Sequence, residues 1–349
     1  MRALNSVTSW LRQGMGGPTE LGLALQGGGS HGAYTWGVLD RLLEEPRLMI
    51  TALSGTSAGA MNATVCADGL IKGGREGARQ ALADFWKAVA NAANGGQPPS
   101  LWERVLGDEG VEPSASVSSL LALTQVFSPY ELNPLNFNPL RDIIEAQIDF
   151  DALKRSSRPR VYVTATRVNT GTQRVFHNAE LSADALLASA CLPTLHHAVE
   201  IDGEPYWDGG YTGNPVVYPL VEDAGCADVM VLLLSPLERK ASVRTAKEIL
   251  ARTTEISFNA AFLREMQWLA KHQAYGRVRM FGRSTRFHLF TPGATLAALS
   301  QLSKLNADWD FLQTLREQGR EATELWLQQH RQDLGLRSSV NLAATFGTA

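Results

Sequence analysis

The stretch Ala52-Leu53-Ser54-Gly55-Thr56-Ser57-Ala58-Gly59 joins two runs of different character. Before it, Arg47-Leu48-Met49-Ile50-Thr51 leads into Ala52-Leu53 as a short apolar run, which reads as a buried strand. After it, AGAMNATVCADGLI (58–71) reads as a helix of small side chains. Gly55 and Gly59 flank Ser57 in a G-x-S-x-G string, and glycines there let a strand turn sharply into a helix. Ser57 would then stand at a helix N-terminus, where unpaired N–H groups and the helix dipole favour an anion. The same unit occurs just upstream. Glu20 to Gln26 (ELGLALQ) reads as a buried strand, Gly27-Gly28-Gly29 as the turn, and Ala33 to Glu45 as a helix, with Trp36, Leu39, Leu42 and Leu43 at helical spacing. Two such units in succession predict an α/β fold: three layers, α/β/α, around a mostly parallel central sheet.

Further strands are expected at Arg160 to Val168, Thr172 to Asn178 and Asp228 to Ser235. Asp202-Gly203 is a tight-turn signal between two extended pieces, and the helix within SADALLASAC (182–191) should stop ahead of Pro193. After Pro236 the chain reads as mostly helical, with one long helix over 244–273 and another from Trp309 to His330. The expected organisation is an N-terminal arm (1–20), a main domain (21–235), a helical extension packed on it (236–335) and a flexible tail (336–349). Within the main domain, 94–140 is rich in Pro, Gly, Ser and Asn and reads as an insertion or lid.

The chain of 349 residues is 44% hydrophobic with a net charge of -3, enough for a sizeable core and without the clustered basic charge of a nucleic-acid binder. Three cysteines, Cys66, Cys191 and Cys226, follow no metal spacing and argue against a disulfide framework, so a reducing, cytoplasmic setting is expected. The opening MRALNSVTSWLRQGMGGP lacks the continuous apolar core of a signal peptide, and no run of about 18 apolar residues predicts a membrane span. Peripheral contact with a membrane stays open.

Gly27, Gly29 and Gly32 match G-x-G-x-x-G, but the dinucleotide reading needs an acidic residue at the end of the second strand, where Ala52-Leu53-Ser54-Gly55 stands. The loop instead offers backbone N–H groups beside Ser57, able to hold the oxyanion of acyl transfer. Asp208-Gly209-Gly210 follows the short aromatic piece Tyr206-Trp207, which places the carboxylate on a tight, exposed turn.

Taken in order, Gly27-Gly28-Gly29-Ser30-His31-Gly32, Gly55 to Gly59 and Asp208-Gly209-Gly210 resemble the three motifs of the patatin-like phospholipases, a family of serine lipid acyl hydrolases: G-G-G-x-R/K-G, G-x-S-x-G and D-G-A/G. Ala188-Ser189-Ala190-Cys191-Leu192-Pro193 and Asn214-Pro215 are similar too, and the resemblance spans about residues 20–235. It implies Ser57 as nucleophile and Asp208 as general base in a Ser-Asp dyad without histidine. Gly27, Gly28, Gly29 and Gly32 would form the oxyanion hole, with Gly55, Gly59, Gly209 and Gly210 supporting the turns. It implies a phospholipid or lysophospholipid ester as substrate and no metal or organic cofactor. His31 stands where the family has Arg or Lys; it would steady the loop as a cation or else face solvent.

Two other readings stay open. One is a Ser-His-Asp esterase using His272 or His288; the other is a non-catalytic lipid- or protein-binding module. The pair His196-His197 lacks the acidic or cysteine neighbours of a metal site, and the oligomeric state is not legible. Ile249, Ile256, Phe262, Leu263, Met266 and Trp268 read as a core-facing stripe, and Arg277, Arg279, Arg283 and Arg286 as a solvated face.

Overall fold

A computed structural model describes residues 17–93, 123–124, 126–238, 243–274, 279–280 and 283–347. Most of the expected N-terminal arm and residues 94–122 of the expected insertion lie outside them, as does Arg277. The strands of the central sheet are β1 (Thr19–Leu25), β2 (Leu48–Thr56), β3 (Arg160–Arg167), β4 (Gln173–His177), β5 (Val199–Ile201), β6 (Glu204–Asp208), β7 (Asp228–Leu232) and β8 (Arg286–Phe290). They run in the order β8-β7-β1-β2-β3-β6-β5, with β4 also paired to β3. The five strands from β8 to β3 are mutually parallel, while β4, β5 and β6 add antiparallel pairings.

Strand periodicity feeds two cores. Leu21, Leu23, Leu25, Val161 and Val163 point to one face, against α1 (Gly32–Leu43), α2 (Ala58–Ala93), α3 (Pro139–Gln147), α4 (Ala183–Ser189) and α7 (Trp309–His330). Ala24, Tyr162, Val229 and Val231 point to the other, against α5 (Tyr218–Glu222), α6 (Ala246–Ala274) and α8 (Leu342–Phe346). This is the three-layer arrangement that the two βα units predict. α2 changes direction at Gly73 and Gly74, the second of which has a φ of 60°.

The C-terminal third departs from the sequence reading. It is not only a helical extension, because β8 completes the edge of the main sheet beside β7. The strand is short and opens with Arg286, whose charge hides an otherwise apolar piece; that arginine is not a solvated side chain but pairs with buried Asp228 at 2.5 Å. α7 is joined to α1 by a close crossing at Gly37 and Gly319 and by the buried carboxylate of Asp40, which meets Arg79, Arg316 and Arg320. The stretch expected to be a flexible tail carries a helix: α8 buries Leu342 and Phe346, the latter edge-on to Phe262 of α6 at 6.0 Å. Two apolar side chains one helical turn apart are enough to dock so short a helix on an apolar face. The α6 stripe divides, with Phe262 and Met266 buried and Ile249, Ile256 and Trp268 exposed.

Phe346→Ala should lower stability by about 3 kcal/mol, the low end for a buried phenylalanine because the tail can peel away from the cavity left behind. Urea unfolding measures it, and a loss below about 0.5 kcal/mol would show that the tail does not dock.

Candidate active site

Ser57 lies between β2 and α2 with a φ of 55°, in the left-handed region. A non-glycine residue is costly there, by roughly 1–3 kcal/mol, and needs its surroundings to hold it. Two features do so. A side chain at Gly55 would come within 2.3 Å of the Gly59 carbonyl oxygen, and one at Gly59 within 2.2 Å of that of Leu25. The bare backbones therefore pack at distances that no other residue permits. In addition, the Ser57 N–H donates to Ser189 Oγ at 2.9 Å, from the end of α4.

β3 brings in the carboxylate. Its Thr164 pairs with Thr56 of β2, and its next residue, Ala165, pairs with Asp208 of β6. Because β6 runs antiparallel, Asp208 arrives at the end of its strand beside Ser57. The Asp208 N–H donates to the Cys191 carbonyl at 2.8 Å, and Thr166 Oγ1 donates to the Asp208 carbonyl at 2.9 Å. The carboxyl accepts the Gly210 N–H at 2.7 Å, and Gly209 lies so close to β3 that a side chain there would meet the Thr164 carbonyl oxygen at 2.1 Å. The turn is not exposed, as the sequence suggested, but buried, with Asp208 only 1% accessible. Burial pushes its pKa up to about 7, against the opposing pull of the Gly210 amide and the Ser57 hydroxyl, which favour the charged form.

Ser57 and Asp208 line one cavity of about 380 Å3, within the range of roughly 300–1,000 Å3 usual for ligand sites. Gly27, Gly28 and Gly29 line it as well. The Gly27 amide is not open to an oxyanion, since it donates to Asn214 Oδ1 at 2.6 Å. That leaves Gly28 and Gly29. Gly32 does not line the cavity; its N–H is bonded to the carbonyls of Gly29 and Ser30, and its missing side chain makes room for Ala58 and Trp86. Apolar side chains, among them Met61, Phe85, Val89, Leu140, Leu192 and Leu195, form most of the remaining wall.

His31 is neither a cation nor solvent-facing. It is buried, its Nε2 lies 2.8 Å from Ser303 Oγ, and burial with the nearby charge of Lys304 pushes its pKa down to about 3. His288 is bonded through both ring nitrogens, to Asp228 Oδ1 at 3.1 Å and Ser339 Oγ at 3.1 Å. Asp228 opens β7, at the opposite end of the parallel strands from Ser57, so this serine-histidine-aspartate set ties the C-terminal segment to the sheet. His272 stacks on Trp268 and does not line the cavity. The histidine that does is His196, whose pKa burial lowers; His197 stacks on Tyr130. Among the described residues, no three His, Cys, Asp or Glu side chains gather as a metal site would require.

A serine on a sharp strand-to-helix turn, sharing a cavity with a buried carboxyl and a glycine loop, defines a structural class: α/β proteins with a serine at a strand-to-helix elbow. The particular family follows from the sequence. The patatin-like phospholipase model matches residues 23–221, and the chain belongs to that family. No sequence among the curated proteins matches it. The crystal structure of VipD from Legionella pneumophila is a distant likeness: 15% identity, a TM-score of 0.41, and coverage of 90% of this chain and 67% of that one.

The buried acid has a cost in stability. Its folded pKa of about 7 lies above the ordinary value near ~3.9, so folding takes up a proton between the two, and stability falls as pH rises through that window. Asp208→Asn should therefore melt above the wild type at about pH 8 and converge with it near about pH 4, as read by thermal unfolding. A variant that melts lower at every pH would contradict the desolvated carboxyl.

Proposed function

We propose that the protein is a serine acyl hydrolase acting on lipid esters. The observation that carries this reading is that Ser57 and Asp208 line one cavity with the glycine loop. Ser57 Oγ attacks the ester carbonyl carbon, and its proton passes to Asp208. The amides of Gly28 and Gly29 hold the tetrahedral oxyanion, each worth about 2.7–4 kcal/mol of barrier. The C–O bond to the alcohol breaks, the alcohol leaves with the proton from Asp208, and Ser57 carries the acyl group. Water then attacks the acyl carbon, gives its proton to Asp208 and releases the fatty acid as Ser57 regains its hydrogen.

A free carboxylate is a weak base at neutral pH, but a base works best when its pKa lies near the operating pH. Desolvation moves Asp208 to about 7, which suits it to this task. The apolar wall suits an acyl chain, each buried methylene of which stabilises binding by about 0.8 kcal/mol. No helix among the described residues is long and apolar enough to cross a membrane. Lipid is met instead at the surface, where Leu135 and Phe137 stand exposed on the chain leading into Leu140 at the cavity wall.

With a lysophospholipid or nitrophenyl ester, kcat/KM should rise with pH along a limb centred near 7. Ser57→Ala and Asp208→Asn should each lose at least about a thousandfold in kcat, and a fluorophosphonate probe should label Ser57. An unlabelled serine would leave a binding module; near-normal turnover by Asp208→Asn would remove Asp208 as the base.

A further inference from the structure

Three side chains at the ends of β1 and β2 tie the segment after Asp208-Gly209-Gly210 to the sheet. Thr56 Oγ1 donates to the Gly213 carbonyl at 2.7 Å, Gln26 Nε2 to the Asn214 carbonyl at 3.3 Å and Ser54 Oγ to the Val216 carbonyl at 2.6 Å. The backbone at Asn214 is thereby fixed beside the strand end that leads into Ser57. Its side chain reaches the glycine loop, where Oδ1 accepts the Gly27 N–H at 2.6 Å. Asn214 Oδ1 and Ser57 Cβ lie 3.2 Å and 2.8 Å from one point, the place where a side chain at Gly27 would begin. The asparagine amide therefore stands next to the serine side chain.

A carboxamide accepts through its oxygen and donates through its nitrogen, so the bond from Gly27 fixes which way this one faces: Oδ1 to the loop, Nδ2 turned away from it. Asn214 is only 5% exposed. Among the described residues nothing accepts from Nδ2, yet that atom is not sealed in the core. The open space it meets is the cavity that Asn214 lines together with Ser57, Gly28 and Gly29. An unpaired donor in so buried a place is costly unless a ligand completes it. Capping the Gly27 amide needs the oxygen alone, which leaves the nitrogen for a group that enters the cavity.

We propose that Asn214 Nδ2 is a third donor to the oxyanion formed at Ser57, beside the amides of Gly28 and Gly29. The proposal rests on the acyl hydrolase reading. One end of the side chain takes the Gly27 amide out of the oxyanion site, and the other end supplies a donor in its place.

An alkyl trifluoromethyl ketone tests it. Ser57 Oγ adds to the ketone carbon, its proton passes to Asp208, and the carbonyl electron pair becomes the oxyanion of a stable hemiketal. The matching trifluoromethyl alcohol carries the same chain and cannot form that oxyanion. In protein isotopically labelled at asparagine nitrogen, the Nδ2 protons of Asn214, identified by their absence from Asn214→Ala, should move downfield in the ketone adduct and stay in place with the alcohol. Asn214→Asp keeps an acceptor for Gly27 and loses the donor. It and Asn214→Ala should each lose about a hundred- to a thousandfold in kcat on a nitrophenyl ester, with KM changed by less than about threefold. Affinity for the ketone should fall by about the same factor, and affinity for the alcohol by less than about threefold. Asn214 protons that stay in place in the adduct, Asn214→Asp turning over within about tenfold of the wild type, or equal losses for ketone and alcohol would each overturn the proposal. Fluorophosphonate labelling separates the two readings. A labelled Ser57 with any of those results removes Asn214 alone, whereas an unlabelled Ser57 that forms no ketone adduct removes the hydrolase reading and the proposal with it.

Discussion

Two adjacent residues on β3 set the site. Thr164 is paired with the residue before Ser57, and Ala165 is paired with Asp208, so a shift of one residue in either register would carry Ser57 or Asp208 to the wrong face of the sheet. The glycines of both turns follow from this constraint. Backbones brought within about 2 Å of where a side chain would begin leave room for nothing else at Gly55, Gly59 and Gly209. The burial of Asp208 follows as well: a carboxyl placed at that register lies under the end of the sheet, out of water, and its proton affinity rises. The feature that weakens the fold at neutral pH is the one that gives the proposed reaction its base.

The central elements were legible because their patterns are local. β1 and β2 are short, mostly apolar runs that lead into glycine turns, and α7 begins and ends where its periodicity does. Asp202-Gly203 makes the tight turn its dipeptide announces, with both residues at positive φ. What escaped was decided by distant partners. Nothing in Gly27-Gly28-Gly29 says that Asn214, far along the chain, takes the first amide. Nothing near Ser57 points to Ser189 as the acceptor for its N–H, although that residue stands in a block already notable for its small side chains. The neutrality of His31 is equally illegible locally, because it comes from burial under a turn more than 270 residues away. β8 and the tail helix were missed for a related reason: each is five residues long and gains its stability from the sheet edge or from α6 rather than from its own sequence.

The C-terminal third is therefore part of the site's architecture. Gln26 at the end of β1 accepts the amides of Leu234 and Ser235 and donates to Asn259 of α6 and to the Asn214 carbonyl. One side chain thus links the glycine loop, the turn after β7, the long C-terminal helix and the residue that orients Gly27. The family-matched segment supplies the serine, the acid and the amides, and the rest of the chain closes the space around them.

In the proposed reaction, hydroxyl, carboxyl and amides converge on one reacting centre. A crystal structure of the protein after reaction with a fluorophosphonate tests it most directly. Phosphorus should be bonded to Ser57 Oγ, with one phosphonyl oxygen about 2.7–3.1 Å from the amides of Gly28 and Gly29 and Asp208 beside the modified serine. An adduct on Ser57 whose oxygen turns away from the glycine loop, or one formed on another serine, would contradict it.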